Sequence, residues 1–174
     1  MRGEIVRLGE FLPQDKQLLF RWINDPDVVR FNSAYRPISW TEHCAWWGAL
    51  NSTDIKRSFA IRALDDDRII GTAQLMDIHP VHRRAEVSIR IGEQSDRQRG
   101  AGSEALRLLR RYAFDHLNLN RVFTHVWADN LRAIRAYENA GFHHEGVMAE
   151  HVFIAGEWKD VAIMAVLRQG SDRA

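Results

Sequence analysis

Apolar residues recur at two periods along this chain, and the places where the period changes mark its elements. "EIVRLGEF" alternates near the start and reads as a short first strand. "PQDKQLLFRWIND" carries Leu18, Leu19, Trp22 and Ile23 at helical spacing and stops before Pro26. "SWTEHCAWWGALN" opens with Ser39 and, three residues later, Glu42, a capping box that predicts a second helix from Trp40. "RSFAIRA" and "RIIGTAQLMDIH" read as strands joined by the acidic turn "LDDD", and the alternating "AEVSIRI" should pair with them. From Ser103 a helix places Ala105, Leu108, Leu109, Tyr112 and Ala113 on one face, with Arg107, Arg110 and Arg111 off it. "RVFTHVWA" is a strand, "NLRAIRAYENAG" a helix, and "EHVFIAGEWKDVAIMAVL" a hairpin turning at Ala155 and Gly156. The predicted order is β-α-α-β-β-β-α-β-α-β-β, an α/β fold with a mixed central sheet flanked by helices on both faces.

No repeat or low-complexity linker interrupts this order, so residues 1–174 are expected to form a single domain. Lys plus Arg number 24 and Asp plus Glu 23, which argues against a general nucleic-acid binder with a basic face. The single cysteine, Cys44, excludes an internal disulfide and fits a reducing compartment. The start lacks the apolar run of a signal peptide, and no apolar run is long enough to span a bilayer. The expectation is a cytoplasmic domain without membrane partners; a homodimer is compatible with it.

Two glycines, Gly100 and Gly102, stand at the first turn of the helix that follows "SDRQR". Glycine weakens a helix there, so the position wants what only a missing side chain allows. Either the chain makes an ordinary tight turn, or a ligand approaches bare N–H groups at the positive helix end. The loop is not a Walker loop, since no Lys-Ser or Lys-Thr follows. Nor is it the dinucleotide fingerprint, since the third glycine is missing.

The run Arg97-Gln98-Arg99-Gly100-Ala101-Gly102 resembles the segment with which GNAT-type N-acetyltransferases hold the pyrophosphate of acetyl-CoA. "ADNLRAIRAYENAGF", residues 128 to 142, resembles the second signature of that superfamily, with Asn130 opening a helix and Tyr137 seven residues on. The flanking segments are similar to the branch containing ribosomal-protein N-terminal acetyltransferases and acetyltransferases of nucleotide-linked amino sugars. The resemblance implies a GNAT-like fold whose sheet splays open beside "AEVSIRI". The pantetheine arm would pair there with Ile89, Arg90 and Ile91, and Arg97 to Gly102, Ser103 and Asn130 would complete the acetyl-CoA site.

Acetyl transfer from a thioester needs a neutral amine, a polarised carbonyl and a proton for the departing thiolate. Glu86 is the candidate for the amine's proton, fourteen positions before Gly100 (100 − 86), the spacing of the general base in some members of the superfamily. A strand Glu paired with a cation such as Arg84, or one that merely orients the substrate, is the alternative. The resemblance makes Tyr137 the acid that returns a proton to the sulfur, although its place on an apolar helix stripe also suits a core residue. Asn130 suits a helix cap as well as a cofactor contact. Arg132 and Arg135 stay unassigned, as solvated charges or phosphate partners. His79, His82, His143 and His144 lack the carboxylate or cysteine company of a metal site, so no metal is expected.

Trp22, Trp40, Trp46 and Trp47, with Phe31 and Tyr35, crowd the first two helices as core, or in part as the lining of an acceptor pocket. The intervening "RFNSAYRPIS" is the expected acceptor contact. Cys44 lies away from the expected catalytic strand, which favours direct transfer in a ternary complex over an acetyl-cysteine. The implied activity is acetylation of a primary amine on a small molecule or peptide: a protein N-terminus, an amino sugar, a polyamine or an amine antibiotic. A non-catalytic CoA-binding module on the same fold is the rival. A toxin that acetylates charged tRNA is disfavoured by the near-neutral charge.

Overall fold

Consecutive residues of the strands point into different cores, and that alternation organises the molecule. The computed structural model describes residues 1–29, 36–97 and 99–168. In chain order the elements are β1 (Val6–Gly9), α1 (Asp15–Ile23), α2 (Pro26–Val29), α3 (Trp40–Gly48), β2 (Arg57–Ala63), β3 (Ile69–His79) and β4 (Arg84–Ile91), then α4 (Ala101–Asp115), β5 (Arg121–Trp127), α5 (Leu131–Asn139), β6 (His143–Ile154) and β7 (Glu157–Leu167). A single 3-10 turn, Gln94–Asp96, interrupts the loop between β4 and α4. The expected order holds, with the short α2 and this turn added.

The seven strands form one sheet in the order β1-β2-β3-β4-β5-β7-β6. Every neighbouring pair is antiparallel except β4 and β5, which run parallel. On one face Ile61, Ile70 and Val87 pack with Ala105, Leu106 and Leu109 of α4 and with Tyr137 of α5. On the other, Ala60 and Ile69 pack with Leu19 and Trp22 of α1, backed by Trp46 and Trp47 of α3. Ala60 and Ile61 are adjacent in β2, and Ile69 and Ile70 in β3, so each strand serves both layers through its period of two. The capping box of α3 forms as expected: Ser39 accepts from the Glu42 N–H, and Glu42 accepts from the Ser39 N–H. The β6–β7 hairpin turns at Ala155 and Gly156, both with positive φ, as a two-residue hairpin turn demands.

Two carboxylates hold the outer pieces to this frame. Asp15 of α1 and Arg62 of β2 form a buried ion pair that ties the first helix to the sheet. Glu104, in the first turn of α4, accepts the N–H groups of Glu4, Ile5 and Val6 at 2.7 Å each. Burial pushes the Glu104 carboxyl up, but the three backbone donors outweigh it and hold the group below its ordinary value. The N-terminal strand is thereby fastened across the start of α4.

The parallel pair decides where a site can form. β4 and β5 pair at Arg84 with Arg121, Ala85 with Val122 and Glu86 with Phe123, and then the pairing stops. β4 continues to Ile91 and β5 to Trp127, so the sheet opens into a wedge whose apex is Glu86.

Candidate active site

The mouth of the wedge is closed by the loop between β4 and α4. Gly100 caps α4 with φ 82°, a left-handed conformation that a side-chain-bearing residue rarely adopts. The helix starts at Ala101, two residues before the Ser103 expected from the apolar pattern, because Gly100 makes the turn and the small Ala101 and Gly102 enter the first turn. A Cβ on Gly102 would stand 3.3 Å from Ile89 Cδ1, so close contact of helix and β4 is a further reason for glycine there. The first N–H groups of the helix have no partner within it and carry its positive end.

Four ties fix this loop. Arg68 donates two hydrogen bonds to the buried Asp96, at 2.7 and 2.6 Å, and holds that carboxyl below its ordinary value. Arg97 Nη2 donates to the Gly92 carbonyl at 2.8 Å. Glu93 accepts from Trp22 Nε1 at 2.9 Å and from Arg21 Nη2 at 2.5 Å. The Trp22 indole also fills the space where a Gly92 side chain would project, within 2.1 Å of a hypothetical Cβ. Arg97, expected at the cofactor, faces Arg132 from the first turn of α5: burial and the Arg97 charge both lower the Arg132 guanidinium. Arg97 Nε is buried without an acceptor among the described residues. Two guanidiniums whose charges reach one another beside a helix N-terminus suit an anion. Arg99 is exposed on the same loop, and Gln98 lies outside the described residues.

At the apex, Glu86 is half-buried, and its partner is not Arg84. The His125 Nδ1 lies 2.9 Å from Glu86 Oε1, while Arg84 stacks over the Phe123 ring, 5.6 Å from its centre. Parallel register explains this: Glu86 pairs with Phe123, and His125, two residues further along β5, emerges on the same face. Tyr137 enters from the opposite face. Its ring is buried, edge-on to Phe142, so it is a core residue, while its hydroxyl accepts from Thr124 Oγ1 at 3.3 Å. Burial pushes its pKa up to about 12, the Thr124 hydrogen bond opposing and the Glu86 charge adding to the rise. The phenol therefore stays protonated and can serve as a proton donor. Asn130 caps α5, accepting the Ala133 N–H at 3.2 Å, which is the capping alternative.

Beyond the apex Ile89 and Ile91 turn their side chains to the core under α4, and neither they nor Arg90 pair with β5. Arg90 instead lines a cavity of about 400 Å³ on the other face, between the sheet and helices α1 and α3. Trp22 and Trp46 line it too; Trp40 and Trp47 do not, and Trp47 packs edge-on to Phe11 instead. Phe31, Tyr35 and most of the expected acceptor loop lie outside the described residues. Glu42 at the cavity wall pairs with Arg36 at 2.8 Å, which draws its carboxyl down to about 2. Arg90 and Glu86 share the even face of β4, four residues and so roughly 13 Å apart. Cys44 lies on α3 and lines neither this cavity nor the apex.

Sequence reasoning missed His125, Thr124, the convergence of Arg97 with Arg132, and the clasp of Trp22 on Glu93. Only His125 had a local signal, since a parallel neighbour of "AEVSIRI" had to present alternate residues of "RVFTHVWA" to one face. Among the described residues no group of three His, Cys, Asp or Glu side chains could hold a metal ion.

A mixed sheet opened between its parallel strands, with a glycine-capped helix at the mouth of the opening, is the architecture of an acetyltransferase domain. The chain belongs to the GNAT acetyltransferase family: residues 6–143 match the model described as "Acetyltransferase (GNAT) domain". It is 36% identical over 123 residues to the probable N-acetyltransferase YjcK of Bacillus subtilis, covering 69% of this chain and 66% of that protein. It is 36% identical over 100 residues to a spermidine N(1)-acetyltransferase of Vibrio cholerae, covering 58% of this chain and 57% of that one. The matches thus span about two thirds of the first relative's length and less of the second's. In three dimensions it is similar to the spermidine N-acetyltransferase of Vibrio cholerae solved in complex with CoA and spermine. The TM-score is 0.86 at 25% identity, over 93% of this chain and 95% of that one.

Proposed function

We propose that this chain is an acetyl-CoA-dependent N-acetyltransferase that moves an acetyl group directly to a primary amine within a ternary complex. The observation that carries the reading is the end of β4–β5 pairing at Glu86, with the Tyr137 hydroxyl near that carboxylate from the opposite face. Beyond Glu86 β5 no longer pairs with β4, and this side of β4 suits an amide-bearing arm laid alongside it like a missing strand. The Gly100–Ser103 amides, with Arg97 and Arg132, suit a pyrophosphate; the buried Arg97 Nε supports the fit. The same splay leaves backbone N–H groups of β4 to bind the thioester oxygen.

Most of an alkyl amine is protonated at neutral pH, its pKa lying near 10.4, and it must lose a proton before it attacks. The Glu86 carboxylate provides the charge that draws this proton off. Tyr137 gives its own proton to the departing thiolate, and burial keeps that proton in place until the sulfur needs it. Cys44, the chain's one cysteine, lies on α3, so no thiol stands at the apex to carry the acetyl group.

The acceptor enters over the cavity under α1 and α3, which Arg90 lines on the same face of β4 as Glu86. Among the candidate amines a polyamine gains support, because a relative and a structural neighbour are spermidine acetyltransferases. Incubating the purified protein with acetyl-CoA and, in turn, spermidine, glucosamine and a tripeptide with a free N-terminal alanine tests the reading. Release of free thiol with at least one amine is expected. Tight acetyl-CoA binding without thiol release would instead point to a non-catalytic CoA-binding module.

A further inference from the structure

Against Glu86 the structure sets an imidazole. The geometry points to His125 as the group that takes the amine proton, with Glu86 holding the ring from behind; this rests on the acetyl-transfer reading above. An ionised carboxylate only accepts hydrogen bonds, so the 2.9 Å contact to Glu86 Oε1 assigns the proton to Nδ1 and leaves the Nε2 lone pair open. The imidazole is the outer member of the pair, with 40% of its side chain exposed against 23% for Glu86. The ring is held at two points. Glu86 fixes Nδ1, Phe123 packs edge-on at 5.6 Å, and Phe123 is itself flanked by the Arg84 and Arg121 guanidiniums at 5.6 Å each. A base whose second nitrogen is bound by a carboxylate is fixed in tautomer and orientation.

In the step this assigns, the amine nitrogen bonds the acetyl carbon as the C–S bond breaks. His125 Nε2 receives the amine proton while Nδ1–H stays on Glu86. Tyr137 protonates the sulfur, leaving CoA as a thiol, the acylated nitrogen sheds its second proton to solvent, and solvent then returns a proton to Tyr137 and takes one from His125. Charged groups around the imidazole are Glu86 on β4, Arg84 and Arg121 across Phe123, and Glu145 of β6 paired to Arg121; β7 presents the apolar Ile163 opposite His125. Glu86 is in this account a positioning residue.

The test uses wild type, His125→Phe, Glu86→Gln and the double variant, with whichever of spermidine, glucosamine or the alanyl tripeptide the wild type acetylates. His125→Phe should lower kcat/KM about 10²-fold at neutral pH and recover in part in alkali, where solvent supplies neutral amine. Acetyl-CoA affinity should stay within about twofold, and the double variant should be no worse than His125→Phe, because the pair acts as one unit. Independently of any acceptor, the low-field proton resonance of the His125 Nδ1–H should be present in wild type and lost in Glu86→Gln. A His125→Phe profile parallel to wild type, or the absence of that resonance, overturns the inference while wild-type turnover leaves the transfer reading standing. A wild type that binds acetyl-CoA and acetylates none of the amines removes the transfer reading and this inference together.

Discussion

Residues 92–103 and the cavity beneath α1 and α3 would hold their ligands by different means, although one indole touches both. The loop presents backbone: a left-handed Gly100, a helix N-terminus and an unpaired strand edge, braced from behind by Arg68, Asp96 and Glu93. The cavity presents side chains, and they come from four elements and a loop: Trp22 of α1, His43 and Trp46 of α3, Thr72 and Gln74 of β3, Arg90 of β4, and Arg36. A backbone cradle suits a ligand that never changes, such as the pyrophosphate arm of a common co-substrate. A wall of side chains can be exchanged residue by residue without disturbing the frame, so acceptor choice can drift while the cofactor site stays the same.

Replacing Gly100 by leucine would break this contrast most sharply. The left-handed φ at Gly100 excludes a branched side chain, and the substituent would reach the Ile5 methyl, 3.3 Å from the Cβ position. Acetyl-CoA binding measured by calorimetry should fall by about a thousandfold, the scale of several lost charge-assisted hydrogen bonds. Binding that survives would show that side chains rather than backbone hold the cofactor.

Tyr137→Phe sits between the two regions and should cut kcat by about 10²-fold with both substrate affinities little changed. The melting temperature should barely move, since the ring and its contact with Phe142 remain. Linkage gives a second signature. The hydroxyl ionises near 12 in the folded protein and about 10 in the unfolded chain, so its contribution is intact below pH 10 and lost as pH climbs towards 12. The variant should lack that portion of the alkaline loss of stability. Lost stability with normal kcat would return Tyr137 to the core alone.

The smallest effect is expected at the join. Trp22→Phe keeps a ring against Gly92 but removes the donor to Glu93. The acceptor KM should rise about threefold to tenfold, the scale of one ordinary hydrogen bond, and acetyl-CoA affinity should change less. The reverse ranking would place this clasp in the cofactor half.

Sequence alone determined the order of elements, because the change of apolar period from two to 3.6 is local information. It also placed the turn into α4, since Gly100 is demanded by a backbone angle within its own turn. Capping by Ser39 and Glu42 and by Asn130 was readable for the same reason: donor and acceptor lie three residues apart. Tertiary structure decided everything that depends on which strands become neighbours. Glu86 meets His125 across 39 positions, and Trp22 meets Glu93 across 71. Arg97 faces Arg132 only once α5 packs beside the loop. The acceptor cavity draws on α1, α3, β3 and β4, and no short-range pattern records that convergence. Periodicity and capping act within one turn or one pleat, whereas the pairing of β4 with β5, and the point at which it gives way, is settled by two helical layers packing on opposite faces of one sheet.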